Sequence, residues 1–298
     1  MKRREFLTGC GVVLLGTRAA RAQSPARTVS QLTDQQKSAK LARIGVLSWS
    51  LHDLWERRPP ADMPKPARPW DFLDYPELIA DRFGLHNLEV QDENFASTED
   101  SYINEFIGRM KKTQSRMINI CLEVGSYVSD PDPQRRQAAA EHTMKWVDYA
   151  VRLGSPSVMI NQGTGLTLDN ISAPIAALKQ CVAYARTKNV AVTIENRGEK
   201  DPSILVEMMR ASGARANPDI GNFPDEATRE RGMKELLPLT SNNCHVKMRP
   251  GSYDVGHYIQ MTKDFGFKGT YSIESGRNLS PDPLKAVQVV LDQLLLDL

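Results

Sequence analysis

The sequence has few cysteines, and their spacing narrows the kinds of site that it can carry. Four cysteines in 298 residues form no C-x-x-C pair, so neither a disulfide framework nor a cysteine-based zinc site is predicted. Three of them lie beyond the N-terminal leader, and an odd number does not pair fully. Cys121 and Cys181 stand in apolar stretches. We therefore expect Cys121, Cys181 and Cys244 to be buried free thiols.

The chain also lacks runs of like charge and long apolar segments. Its formal net charge is +2, and it has no cluster of Lys and Arg of the kind that binds nucleic acid. No apolar stretch after the leader approaches the roughly 20 residues that a membrane-spanning helix needs. No internal repeat or low-complexity block is present. We expect neither a nucleic-acid partner nor a stable membrane anchor.

Residues 1–22 have the features of an export signal. Arg3-Arg4 is followed by a short apolar stretch that ends at Ala20-Arg21-Ala22, an A-x-A cleavage pattern. This segment resembles a twin-arginine signal, although Lys2 stands where Ser or Thr is usual. The resemblance implies recognition by the twin-arginine export machinery and a periplasmic location, with a membrane anchor as the alternative.

Residues 23–40 are polar and predict a linker, with a weak helical turn as the open alternative. From residue 41 to residue 298 the chain alternates short apolar runs with helix-patterned stretches, which is the organisation of an α/β protein and sufficient for a single barrel domain. The predicted strands are Arg43–Trp49, Asn87–Gln91, Met117–Glu123, Ser157–Asn161, Val190–Glu195, Ala214–Asp219, Asn243–Lys247 and Gly269–Glu274. The predicted helices between and after them are Pro76–Phe83, Glu99–Thr113, Pro133–Leu153, Ile171–Lys188, Pro202–Ala211, Glu226–Leu239, Tyr253–Phe265 and Pro283–Leu296. Eight strand–helix pairs predict a (β/α)8 TIM barrel.

The last four predicted strands each end at or near a side chain that can bind a metal: Glu195, Asp219, His245 and Glu274. In a parallel barrel the carboxyl ends of the strands meet at one face, and active sites lie there. Three carboxylates and one imidazole at that face suit a divalent cation. A single glutamate in such a position is more often a helix cap or an ion-pair partner. Four side chains that can bind a metal, on successive strands, predict a metal site.

Other polar residues near strand ends have two interpretations each. Glu89 is either a substrate contact or a buried acid paired with an arginine, and Asn161 is either a substrate contact or an ordinary polar residue. His52 is either a loop residue or a site residue. Residues 51–75 contain five prolines and follow the first strand, so they predict either a partly rigid lid over the catalytic face or a disordered insertion. Trp49 and two further tryptophans favour an ordered loop with ligand contacts. His86, His142 and His257 receive no role.

The chain resembles the sugar phosphate isomerase/epimerase family of xylose-isomerase-like barrels. The matching stretches are Thr193-Ile194-Glu195-Asn196, Pro218-Asp219-Ile220-Gly221-Asn222, His245-Val246-Lys247 and Ser272-Ile273-Glu274-Ser275-Gly276. The resemblance extends from Arg43 to the final helix. It implies that the four candidate ligands bind one divalent ion, with manganese favoured over magnesium, cobalt or zinc, and that Glu195 and Glu274 also move protons.

The resemblance further implies a small-molecule sugar substrate, contacted by Lys247, Arg249 and Asn222. Family epimerases commonly carry a histidine three residues after the ligand aspartate, and Asn222 stands at that position. An amide does not act as a general acid near neutral pH. We therefore expect an exported isomerase or epimerase acting through an enediolate on a free or oxidised sugar. A lyase or glycoside-cleaving enzyme and a non-catalytic sugar-binding barrel are the alternatives. A DNA-repair endonuclease on the same fold needs more than the five histidines present.

Overall fold

The computed structural model describes residues 28–55, 70–123, 127–163 and 165–298. The predicted signal at residues 1–22 lies outside these ranges, as do the first five residues of the predicted linker and the five prolines of the predicted lid. In the described ranges no helix has the length and apolar character that crossing a bilayer requires.

Eight short parallel strands form the centre of the fold. Most of their residues are buried, which is typical of parallel strands covered by helices outside and by their own side chains inside. The strands are β1 (Ile44–Leu47), β2 (Asn87–Gln91), β3 (Arg116–Leu122), β4 (Ser157–Ile160), β5 (Ala191–Ile194), β6 (Arg215–Ala216), β7 (Asn243–Val246) and β8 (Thr270–Ile273).

The sheet order is β6-β5-β4-β3-β2-β1-β8-β7, and every pairing is parallel. Two isolated parallel bridges, Ala216 with Thr240 and Asp219 with His245, join the two ends of this sheet. The strands therefore close into a (β/α)8 barrel, as the alternation of strand and helix patterns predicts.

Helices surround the barrel, and acidic caps define where several of them begin. Among the described residues, five helices start directly after an aspartate whose carboxylate accepts from a backbone amide of the first turn, which satisfies an otherwise unpaired donor. The helices are α1 (Asp34–Leu41), α2 (Tyr75–Phe83), α3 (Asp100–Lys112), α4 (Pro133–Leu153), α5 (Ser172–Arg186), α6 (Pro202–Ser212), α7 (Glu226–Leu236), α8 (Val255–Phe265) and α9 (Pro283–Asp297).

The predicted strands and helices are present, with ends that differ by at most three residues. The largest difference for a strand is in β6, where the predicted run Ala214–Asp219 shortens to Arg215–Ala216. Pro218 has no amide hydrogen for a ladder. The chain nevertheless stays alongside β7, because the Pro218 carbonyl accepts from the amide of His245 at 2.8 Å. This contact keeps Asp219 next to His245.

Part of the segment predicted as a linker forms a helix, α1. α1 has eight residues and a capping box at Thr33 and Gln36, and the Lys40 ammonium donates to the Leu295 carbonyl of α9. This segment is therefore more than a weak turn. The three cysteines that the structure describes are buried free thiols, as predicted.

Candidate metal centre

Four of the predicted ligands converge at the carboxyl end of the barrel. Glu195 and Glu274 directly follow β5 and β8, His245 lies in β7, and Asp219 lies in the extended stretch after β6. One ligand atom from each can be chosen so that all four lie within 4.8 Å of one another, and all four residues are buried. Around the barrel the order is β5, β6, β7, β8, so Glu195 and Glu274 flank the other two. These four residues are called the ligand cluster below.

His245 links the carboxylates of the ligand cluster. Its Nδ1 is 2.9 Å from Glu195 Oε1 and 3.3 Å from Glu274 Oε2. Its Nε2 is 2.8 Å from Glu89 Oε1, on the other side of the ring. The imidazole is therefore held between carboxylates at both nitrogens, with Nδ1 facing the ligand cluster.

Lys247 supplies a positive charge beside the cluster. Its Nζ lies 2.5 Å from Glu274 Oε1 and 3.4 Å from Asp219 Oδ2, and it donates to Asn222 Oδ1 at 3.0 Å. The chain after Asp219 passes directly beneath it. A Cβ added at Gly221 would lie 2.7 Å from Lys247 Cβ and 2.9 Å from its carbonyl oxygen, so this close approach requires glycine.

Burial and charge shift the acidities of these groups in opposite directions. Burial raises the pKa of Asp219 to about 7, and the nearby Glu274 carboxylate adds to the rise while Lys247 opposes it. Burial also acts to raise the pKa of Glu274, but Lys247 and His245 outweigh it and hold that pKa well below its usual range.

Burial alone would lower the pKa of His245, but the Glu89 carboxylate, together with the nearby Glu195 and Glu274 carboxylates, raises that pKa well above its ordinary value. Burial likewise acts to lower the pKa of Lys247, and the charges of Asp219 and Glu274 raise it above its ordinary value. Negative charge therefore dominates the surroundings of both groups.

The donor set fits a divalent cation. Asp219 Oδ2 and Glu274 Oε2 are buried and have ion-pair contacts, with Lys247 at 3.4 Å and His245 at 3.3 Å, but neither oxygen accepts a hydrogen bond from a residue that the structure describes. A buried carboxylate oxygen without a donor is costly unless a cation compensates it. Three carboxylates and one imidazole are ligands that such ions commonly use.

A cavity of about 500 Å³ opens above the ligand cluster. Trp49, Asn222, Lys247 and Arg249, all predicted as substrate contacts, line it together with Glu195 and Glu274. Its other lining residues are Leu47, Gln91, Glu93, Cys121, Glu123, Met159, Arg197, Gly198, Gly221, Phe223 and Pro224. The buried side chains of Leu47, Cys121 and Met159 form an apolar patch against which Trp49 packs. The cavity thus combines polar groups of both charges with an apolar surface.

Three other predicted substrate contacts lie elsewhere. Glu89 is fully buried, is absent from the residues that line the cavity, and pairs with a histidine instead of an arginine. Asn161 donates to Glu123 at 2.8 Å and is also absent from that lining. His52 borders a neighbouring cavity and contacts the Trp49 carbonyl, so its ring orders the loop after β1.

Two residues that shape the site were not among the predicted site residues. Arg197 donates through Nε to Glu195 Oε2 at 3.0 Å and pairs with Glu123, so it holds the outer oxygen of Glu195. Asn196 donates to the Asp219 carbonyl at 3.0 Å and accepts from the Asp219 amide at 2.8 Å. Both follow Glu195 directly, and that proximity to a predicted ligand was the available signal.

No protein-family model and no curated protein matches the sequence. Solved structures match its fold. A D-allulose 3-epimerase from Methylomonas sp. has a TM-score of 0.66 at 14% identity, over 86% of this chain and 98% of that one. A 3-keto-D-glucoside 4-epimerase from E. coli has a TM-score of 0.65 at 13% identity, over 85% and 98%. A xylose isomerase-like TIM barrel protein from Mycobacterium smegmatis in complex with magnesium has a TM-score of 0.59 at 16% identity, over 76% and 88%. The chain therefore has the xylose-isomerase-like TIM-barrel fold.

Proposed function

We propose that the protein is a divalent-metal-dependent sugar isomerase or epimerase that moves a proton at the carbon next to the carbonyl of a free or oxidised (keto) sugar. The main observation that supports this proposal is the ligand cluster at the bottom of the cavity. One ligand atom from each of its four residues lies within 4.8 Å of the other three. Two of the matching folds belong to sugar epimerases.

The ligand cluster would hold one divalent ion, with manganese the favoured candidate. When bound, such an ion polarises the carbonyl and hydroxyl oxygens of the substrate and so stabilises the negative charge of an enediolate. Asp219 and His245 lie between the two glutamates, are fully buried and are absent from the residues that line the cavity. Their role is therefore binding, and proton movement falls to Glu195 and Glu274.

The two glutamates differ in how their oxygens are held. Glu195 Oε1 lies 2.9 Å from His245 Nδ1, and Glu195 Oε2 accepts from Arg197. Glu274 pairs with Lys247 through Oε1, while Oε2 is without a hydrogen-bond donor among the described residues. A carboxylate within reach of the substrate carbon takes the proton, and a second group on the opposite face returns it in an epimerase. In an isomerase the same group returns it to the neighbouring carbon.

The lining of the cavity suits a sugar. Carboxylates and amides accept from hydroxyl groups, and Lys247 and Arg249 donate to hydroxyl or carbonyl oxygens. Trp49 and its apolar neighbours offer a surface for the C–H face of a sugar ring. We further propose that the leader directs the folded protein through the twin-arginine pathway, so that the substrate is an unphosphorylated sugar outside the cytoplasm.

A lyase is the second candidate. It would abstract the same proton and then expel a group β to the resulting carbanion. The observation in its favour is Asn222, whose amide oxygen accepts from Lys247, so that no imidazole at this position returns a proton to the substrate.

To test this proposal, candidate keto-sugars are incubated with the wild-type protein in deuterated water, and the products are identified by NMR. We expect deuterium at the carbon next to the carbonyl, with an inverted centre, a rearranged sugar or an unsaturated product identifying epimerase, isomerase or lyase. Glu274→Gln should lower turnover by about 10²–10⁴-fold. The matched control is Glu105→Gln, at an exposed ion pair with Arg109 on α3. Turnover without exchange or transfer of that proton, or full activity in Glu274→Gln, would contradict the proposal.

A further inference from the structure

Glu89 lies beneath the ligand cluster and has no access to the cavity. It stands in β2 with no exposed surface. Its Oε1 accepts from His245 Nε2 at 2.8 Å and from Asn119 Nδ2 at 2.7 Å. Its Oε2 accepts from Asn243 Nδ2 at 2.9 Å. A buried carboxylate is costly to desolvate, and these three donors compensate it.

The amides that face Glu89 each contact a second side chain. Asn119 Oδ1 accepts from the Ser157 hydroxyl at 2.6 Å. Asn243 Oδ1 accepts from the Thr270 hydroxyl at 2.9 Å. Both NH2 groups are directed at Glu89, which accepts at both oxygens.

This arrangement determines which nitrogen of His245 faces the ligand cluster. Nε2 donates its proton to Glu89, and Nδ1 points toward Glu195 and Glu274. A histidine that binds a metal usually donates its other N–H to a carboxylate or carbonyl, which fixes the ring and strengthens the ligand.

We propose that Glu89 is a positioning residue of the metal centre, which contacts Nε2 of His245 and so holds the ring with Nδ1 toward the ion. The proposal rests on the proposed function, since it requires that the ligand cluster binds a divalent ion. Glu89 itself touches neither the ion nor the substrate.

Calorimetric titration with Mn²⁺ compares the wild type, Glu89→Gln and Asp92→Asn. Asp92 is a matched control because it is also a buried carboxylate, 2.6 Å from His142 Nε2, but it lies outside the ligand cluster. Glu89→Gln should weaken Mn²⁺ binding by about 10–100-fold, while Asp92→Asn should bind as the wild type does. Equal affinity in the wild type and a folded Glu89→Gln would overturn the proposal.

A second measurement needs no folded Glu89 variant. In wild-type protein carrying ¹⁵N-histidine and saturated with Mg²⁺, the signals absent from His245→Gln belong to His245. We expect a proton on Nε2 and none on Nδ1. A proton on Nδ1 instead would overturn the proposal while leaving the metal site in place. A wild type that binds neither Mn²⁺ nor Mg²⁺ would refute the proposed function and this inference together.

Discussion

Replacing Lys247 by methionine tests whether charge compensation holds the ligand cluster together. The side chain is 17% exposed, and its ammonium contacts Glu274 and Asp219 at 2.5 and 3.4 Å. Methionine keeps an unbranched side chain and removes the charge, so two buried carboxylates lose their counter-charge. Removing one partner of a buried ion pair costs about 3–5 kcal/mol. At about 2–4 °C per kcal/mol, the unfolding temperature of the chelator-treated protein should fall by about 6–20 °C.

The same substitution should have the opposite effect on ion binding. Without the ammonium the cluster has a larger surplus of negative charge, so Mn²⁺ should bind more tightly than it does to the wild type. Thermal unfolding with chelator and with saturating Mn²⁺ measures both effects, because an ion that binds the folded state raises its stability. The gain in unfolding temperature on adding Mn²⁺ should be larger for Lys247→Met than for the wild type.

Lys188→Met provides the control for this experiment. Lys188 pairs with Asp148 at 2.8 Å on the surface, so the substitution removes an ion pair without burying an uncompensated charge. It should leave both the unfolding temperature and the response to Mn²⁺ close to those of the wild type. If chelator-treated Lys247→Met unfolds at the same temperature as Lys188→Met, the reasoning about charge compensation is refuted.

Four further predictions concern ion binding, the pH dependence of ion binding, the pH dependence of stability, and the leader. His245→Ala should weaken Mn²⁺ binding sharply in calorimetry, whereas His257→Ala, which removes an exposed partner of Glu230, should not; equal affinities would count against the ligand cluster. Mn²⁺ affinity should increase as the pH rises through about 7, because Asp219 must lose its proton to bind an ion, and an affinity independent of pH between 6 and 8 would contradict this. In the chelator-treated protein the contribution of Asp219 to stability should be fully present below about pH 4 and lost as the pH rises through about 7, which unfolding at several pH values would measure. Replacing Arg3 and Arg4 by lysine should retain the precursor in the cytoplasm on cell fractionation, and normal export of that variant would argue against the twin-arginine pathway.

The fold could be predicted from the sequence because periodicity and termination signals are local. Gly154 and Gly266 end α4 and α8 with positive φ angles of 73° and 87°, as a glycine after a helical stretch predicts. Pro133 and Pro283 follow capping aspartates at helix starts. By contrast, α1 has a polar surface and no buried residue, and its contact with α9 is distant in sequence. The apolar pattern therefore did not reveal it.

Convergence of the four ligands could be predicted from their places at successive strand ends, but the surrounding contacts could not. Whether Glu89 points toward the cavity or beneath it depends on strand register, and the β2–β3 pairing shifts register between Leu88 and Glu89. The hydrogen bonds of Asn196 to Asp219 join residues 23 positions apart, with α6 and β6 between them in the chain. Arg197 is likewise placed by Glu123, which belongs to a different part of the barrel. Such contacts follow from closure of the barrel and leave no local pattern.

The central claim is that Glu195, Asp219, His245 and Glu274 hold one divalent ion. Metal analysis of the wild type purified without chelator, followed by calorimetric titration of the stripped protein with Mn²⁺, tests it most directly. We expect one divalent ion per chain and one Mn²⁺ site after stripping. Protein that is free of divalent metal as purified and binds no Mn²⁺ on titration would contradict the claim.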